Sequence, residues 1–136
     1  MNKDNVYLRT AKIVSELSDF PRTKIGAVLV DGHCIIGSGY NMCKTTSVQW
    51  REDAKCFGDY GEKGFGKCHA EVKCLLPLMR RGVDLSGATM YTYRETADGN
   101  RAMARPCKRC MEVIKRAGIK RVVYTTGDGI AREKIM

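Results

Sequence analysis

The sequence has no long apolar run: nothing approaches the ~18 consecutive apolar residues a membrane-spanning helix requires, and no membrane partner is expected. Met1 to Asp4 are polar and no apolar h-region follows, which excludes a recognisable secretory signal and makes the cytoplasm the expected location. Internal repeats are missing, as is any linker that would mark a second domain, so residues 1–136 are expected to form one domain. Acidic residues are too few to balance the basic ones, 15 against 24, and the net charge is +9. Such a surface suits a phosphorylated or polyanionic partner. Single pairs such as Arg80-Arg81 or Lys115-Arg116 still read most simply as solvated helix faces. An even cysteine count is lacking too. Seven cysteines, two of them in Cys-x-x-Cys, favour metal or reactive thiols over a disulfide framework.

What is present is an ordinary globular composition, 43% hydrophobic and 29% charged. Residues 5–17 place Val6, Ala11, Ile13, Val14 and Leu17 at helical spacing, with Asp4 as N-cap. Ile25 to Val30, the turn signal Asp31-Gly32, and His33 to Tyr40 predict a β-hairpin. Residues 41–67 have little apolar periodicity, and a stretch of that kind in a small domain is usually functional or disordered. A helix is predicted from His69 to Arg81, with Pro77 an awkward interior residue and Gly82 at its end. Ala88 to Tyr93 reads as a strand, Pro106 to Ala117 as a helix closed by Gly118, and Ile119 to Thr125 as another strand. Gly127-Asp128-Gly129 then predicts a second hairpin. The order α-β-β-α-β-α-β-β implies a mixed sheet with helices packed over it.

Two segments carry chemistry: Cys68-His69-Ala70-Glu71 and Pro106-Cys107-Lys108-Arg109-Cys110. His69, Cys107 and Cys110 supply the three protein ligands that a catalytic zinc needs beside its open position. Cys107 and Cys110 stand i,i+3 at a helix start, so both sulfurs face one side, and the helix N-terminus favours their thiolates. Glu71, two residues from His69, does not share its face, which leaves it clear of the metal and near a reacting water as proton carrier. Zinc lowers the pKa of bound water to about 7, a nucleophile that hydrolysis of an amino group on a poorly electrophilic ring requires. A closed structural site with Cys68 as fourth ligand is the competing arrangement. It asks two adjacent residues to point at one ion and leaves Glu71 without a role.

The paired motifs match the recognised signature of zinc nucleobase deaminases. The chain resembles the cytidine and deoxycytidylate deaminase superfamily over nearly its whole length, and above all the deoxycytidylate deaminases. The resemblance is carried further by Thr23-Lys24-Ile25-Gly26-Ala27-Val28-Leu29-Val30, Gly39-Tyr40-Asn41 and Ala117-Gly118-Ile119-Lys120. It implies an α/β cytidine-deaminase-like fold, a three-layer α-β-α sandwich with a mixed five-stranded sheet and helices on both faces, while the Gly127-Asp128-Gly129 turn makes the last two strands an antiparallel hairpin. It implies zinc as cofactor, dCMP or a related cytosine nucleotide as substrate, a homo-oligomer, and Asn41 and Ala70 as substrate-binding residues; Arg105, just before Pro106, is a further substrate-binding candidate of this chain's own. For Asn41 a turn-forming role after a strand stays open.

Two features depart from the family pattern. Eleven residues, Glu95 to Arg105, intervene before Pro106, and Arg105 stands where an aromatic is usual. With Arg94 and Arg101 this insertion reads either as a phosphate contact or lid, or as a mobile surface loop. The terminal hairpin resembles free-nucleoside cytidine deaminases instead, so a free nucleoside is a competing substrate. A single-stranded DNA or RNA cytosine is another, favoured by the charge and by aromatics Trp50, Phe57, Tyr60 and Phe65 interleaved with Arg51, Lys55, Lys63 and Lys67. A non-catalytic zinc-stabilised binding module is the outside reading. Cys43, Cys56 and Cys68 are read as plain thiols or as a second, structural zinc site; Cys34 and Cys74 as core; His33 as surface. Glu71→Gln is expected to keep zinc and lose ammonia release, which metal analysis alongside an ammonia assay checks; a fully active variant would remove Glu71 from the mechanism.

Overall fold

Gly26 to Val30 are buried without interruption, which requires a strand covered on both faces and flanked by neighbours. In the computed structural model, which describes residues 3–19, 23–42 and 69–135, that strand is β1 (Thr23–Asp31). The remaining elements are α1 (Lys3–Ser15), β2 (Cys34–Tyr40), α2 (Ala70–Arg80), β3 (Ala88–Thr96), β4 (Arg101–Ala102), α3 (Lys108–Arg116), β5 (Arg121–Thr125) and β6 (Ile130–Lys134). The sheet runs β2-β1-β3-β5-β6, with β4 paired to β3. β1 is antiparallel to both β2 and β3, β3 and β5 are parallel, and β5 and β6 are antiparallel, pairing Thr125 with Ile130. The expected mixed sheet and terminal hairpin are therefore present. Among the described residues no helix is long and apolar enough to cross a membrane.

Strand parity sorts the core into two layers. Ala27, Leu29, Met90 and Val122 face α2 and α3, meeting Val72, Leu75, Val113 and Ile114. Val28, Val30, Tyr91, Tyr93 and Val123 face α1, meeting Leu8 and Ala11. Both C-terminal turns close as the sequence predicts: Gly82 (φ 68°) and Gly118 (φ 87°) take the left-handed conformation, and Val83 and Ile119 donate back to Leu78 and Ile114.

Several expectations are corrected. Asp4 lies inside the first turn of α1 rather than capping it, and its carboxylate accepts from Tyr91 Oη at 2.8 Å and pairs with Arg132. The buried face of α1 is Leu8, Ala11 and Ser15, whereas Val6, Ile13 and Leu17 are exposed. Gly26 explains that rotation: a Cβ there would stand 2.0 Å from the Ala11 carbonyl oxygen, so the helix rests its Ala11–Ser15 face directly on β1. Cys34 is exposed, because it opens the edge strand β2 beside the turn, while Cys74 is buried as expected and its thiol is pushed up to about 12. The insertion is no free loop. β3 extends to Thr96 and folds back as β4, pairing Arg94 with Ala102 and Glu95 with Arg101, which adds a sixth strand to the expected five. The readings placed on residues 43–68, including Cys43, Cys56, Cys68 and the aromatic cluster, lie outside the described residues.

Gly39 is where α2 meets the sheet: a Cβ there would lie 2.4 Å from the Ala70 carbonyl oxygen and 2.6 Å from the Cys74 nitrogen. Both atoms are helix backbone and cannot swing aside. Gly39→Ala is therefore expected to destabilise the fold by about 1–3 kcal/mol, read as a lower urea midpoint.

Candidate active site

The sequence starts two helices at residues whose side chains are not used as caps. His69 is the N-cap of α2 and Cys107 the N-cap of α3; both have extended backbone, and neither makes the side-chain hydrogen bond an N-cap usually makes. Instead they turn toward each other. His69 Nδ1 lies 3.9 Å from Cys107 Sγ and 3.3 Å from Cys110 Sγ, and all three ligand atoms fall within 4.8 Å of one another. Cys110 follows three residues after Cys107, one turn into α3, which brings both sulfurs to the same side.

The donor set fits zinc. A tetrahedral site with Zn–S near 2.3 Å and Zn–N near 2.0 Å separates sulfur and nitrogen ligands by about 3.5 Å, between the two distances found. The chemistry of the group agrees with its geometry. The Cys110 thiol and then the His69 ring hold Cys107 as a thiolate, its pKa brought down to about 3, while that contact with Cys107 raises the His69 pKa against its partial burial. Glu71, in the first turn of α2, is 5% exposed. Burial raises its pKa, outweighing a hydrogen bond from its own backbone and the nearby His69.

These groups open onto a cavity of about 300 Å³. Of the residues the sequence nominates, Asn41, His69, Ala70, Glu71, Arg105 and Cys107 line it; Cys110 joins through the His69–Cys107 cluster. Two larger grooves, about 550 and 520 Å³, flank α1 on the opposite face and contain none of them. Asn41 is buried, and its amide is engaged by β1: Oδ1 accepts from Ile25 N at 2.9 Å and Nδ2 donates to Thr23 O at 3.0 Å. Arg105 reaches the cavity but is held by Glu133 of β6 through Nε and Nη2, at 2.8 and 2.7 Å. Tyr124 Oη donates to the same carboxylate at 3.0 Å. The Arg105 pair raises the arginine's pKa and holds the Glu133 carboxyl below its usual range.

Sequence reasoning passed over two residues that set this geometry. Thr92 Oγ1 donates to Ala104 O and Thr125 Oγ1 to Ala102 O, each at 2.8 Å, and both threonines are buried. Together with Ala104 N donating to Thr125 O at 2.9 Å, they clasp the segment that delivers Pro106 and Cys107. A threonine in a β-branched strand carries no local signal of such a duty.

A family model described as the cytidine and deoxycytidylate deaminase zinc-binding region matches residues 1–126. The deoxycytidylate deaminase of Mycobacterium phage D29 is 34% identical over 131 residues, covering 89% of this chain and 92% of that protein. The Homo sapiens deoxycytidylate deaminase is 27% identical over 123 residues, and there this chain spans 61% of the relative's length. The crystal structure of a dCMP deaminase from cyanophage S-TIM5, in complex with dCMP and dUMP, superposes with a TM-score of 0.63 at 25% identity, covering 91% of this chain and 82% of that one.

A metal ion held by His69, Cys107 and Cys110 would link α2 to α3 and stabilise the folded state. Chelation is expected to lower the melting temperature, and Cys107→Ala to lower it and abolish the response to chelator, both measured by differential scanning fluorimetry.

Proposed function

The chain belongs to the cytidine and deoxycytidylate deaminase family, and on that premise we propose that it hydrolyses the amino group of deoxycytidylate, giving deoxyuridylate and ammonia. The observation that carries this reading is the convergence of His69, Cys107 and Cys110 beside buried Glu71 on one small-molecule-sized cavity. In this assignment those three residues hold zinc, which when bound acts as a Lewis acid toward the attacking water. Glu71 takes a proton from that water and gives it to N3 of the ring, so the water oxygen bonds to C4. The remaining water proton then passes by way of Glu71 to the amino group, the C4–N bond breaks with its electron pair leaving on nitrogen, and ammonia departs from a new carbonyl. A carboxyl with a burial-raised pKa suits this work, because it must both accept and return a proton near neutrality.

Ala70, with only a methyl group at the wall, and Asn41, fixed on β1, complete the surface we assign to substrate. We read the chain as one deaminase domain, since a single sheet joins all described strands. We place it in the cytoplasm as a homo-oligomer; the exposed Val6 and Ile13 of α1, with the exposed Leu17 just beyond the helix, support association. An ammonia-release screen of dCMP, CMP, deoxycytidine, cytidine and a cytosine-containing oligonucleotide tests the reading. The highest kcat/KM is expected on dCMP; turnover of the oligonucleotide alone would replace this substrate with nucleic acid.

A further inference from the structure

Among the described residues, Arg94 and Arg105 line the cavity, and their electrostatic situations differ. Arg105 is neutralised by the bidentate Glu133 pair. Arg94 has no such partner: among the described residues no carboxylate pairs with it, and its guanidinium makes one hydrogen bond, from Nη1 to Met103 O at 3.3 Å. Its Nε is buried and unpartnered, although an arginine carries five donors. A partly buried cation with most of its donors unused is costly unless something in the cavity answers it.

Strand parity explains how it got there. On β3, Met90 and Thr92 face α2 and α3 while Tyr91 and Tyr93 face α1, and Arg94 continues the first series. It stands opposite Ile25, whose backbone N–H is held by Asn41, so Arg94 and Asn41 meet the cavity at the same end of the sheet. The fold-back of β4, with Arg94 opposite Ala102, fixes that position from the other side.

We infer that Arg94 is the specificity-determining residue that receives the 5′-phosphate of the substrate. The inference rests on the nucleotide reading above and deepens it. A planar guanidinium matches a phosphate monoester through parallel donors, and among the described residues no carboxylate competes for the Arg94 charge. Arg105, tied to Glu133, shapes the rim instead.

The test compares binding of dUMP and deoxyuridine to the zinc-loaded enzyme by calorimetry, with KM and kcat for dCMP and deoxycytidine alongside. The wild type is expected to prefer dUMP. Arg94→Gln is expected to cut dUMP affinity by about 10- to 100-fold and to raise KM for dCMP, while deoxyuridine affinity stays unchanged. Should the glutamine variant fail to fold, Arg94→Met, which keeps much of the stem and removes the charge, reads the same ratio. A dUMP-to-deoxyuridine ratio equal in wild type and variant overturns the inference alone. Equal losses for both ligands also overturn it, since Arg94 would then act on base or sugar. A wild type with no preference for dUMP overturns the nucleotide reading and this inference together.

Discussion

The site depends on one constraint: two helix N-termini, 38 residues apart in sequence, must meet so that their N-cap side chains face each other. No local interaction can impose that. Each helix is instead registered against the sheet by contacts that tolerate little displacement. α2 is seated by Gly39, where the absence of a side chain lets helix backbone touch strand backbone. α3 is seated by the buried Thr92 and Thr125 hydroxyls, which grip the chain just before Pro106. Cys107 and Cys110 stand at the N-terminus of α3, whose positive end favours their thiolates.

The opposite face uses polar anchoring of another kind. Asp4 is buried to 7% exposure, and an unpaired carboxylate there would be costly. Its bonds to Tyr91 and Arg132 tie the first helix to the central strand and to the last one. Tyr91 adds aromatic contact with Tyr7 at a centroid distance of 5.2 Å. β3 thus serves both layers through alternation alone: Tyr91 and Tyr93 hold α1, while Thr92 positions the segment before Cys107 and Arg94 reaches the cavity.

What the sequence made legible was whatever has a short period or a fixed spacing. The hairpins, the helix-ending glycines and the pairing of Cys107 with Cys110 were all readable because turns, left-handed caps and i,i+3 neighbours are written within a few residues. What was not legible depends on distant partners. Val6, Ile13 and Leu17 are apolar at helical spacing, yet the face of α1 that packs was decided by Gly26 on a different strand. Asp4 has the composition of an N-cap, but Tyr91 and Arg132, 87 and 128 residues away, draw it into the core side of the first turn. The insertion gave no strong strand signal, because a two-residue strand is stabilised by its pairing and by the Thr96–Asp98–Asn100 turn rather than by β propensity.

The two departures from the family pattern are not independent. Arg105 ends the insertion, Glu133 lies in the terminal hairpin, and the two form a bidentate pair that Tyr124 extends into β5. The hairpin's last residues are fastened further by Ile135 donating to Lys120 at 2.7 Å. β6 therefore bounds one side of the site by holding the segment that leads to Pro106. This changes how the +9 charge should be read. Net charge measures what surrounds the molecule, whereas function at the cavity depends on which cations the fold has already answered. Glu133 answers Arg105, Asp4 answers Arg132, and Glu16 and Glu95 answer Lys12. A basic chain can in this way present a selective anion site at its cavity, because Glu133 answers Arg105 there while, among the described residues, no carboxylate answers Arg94.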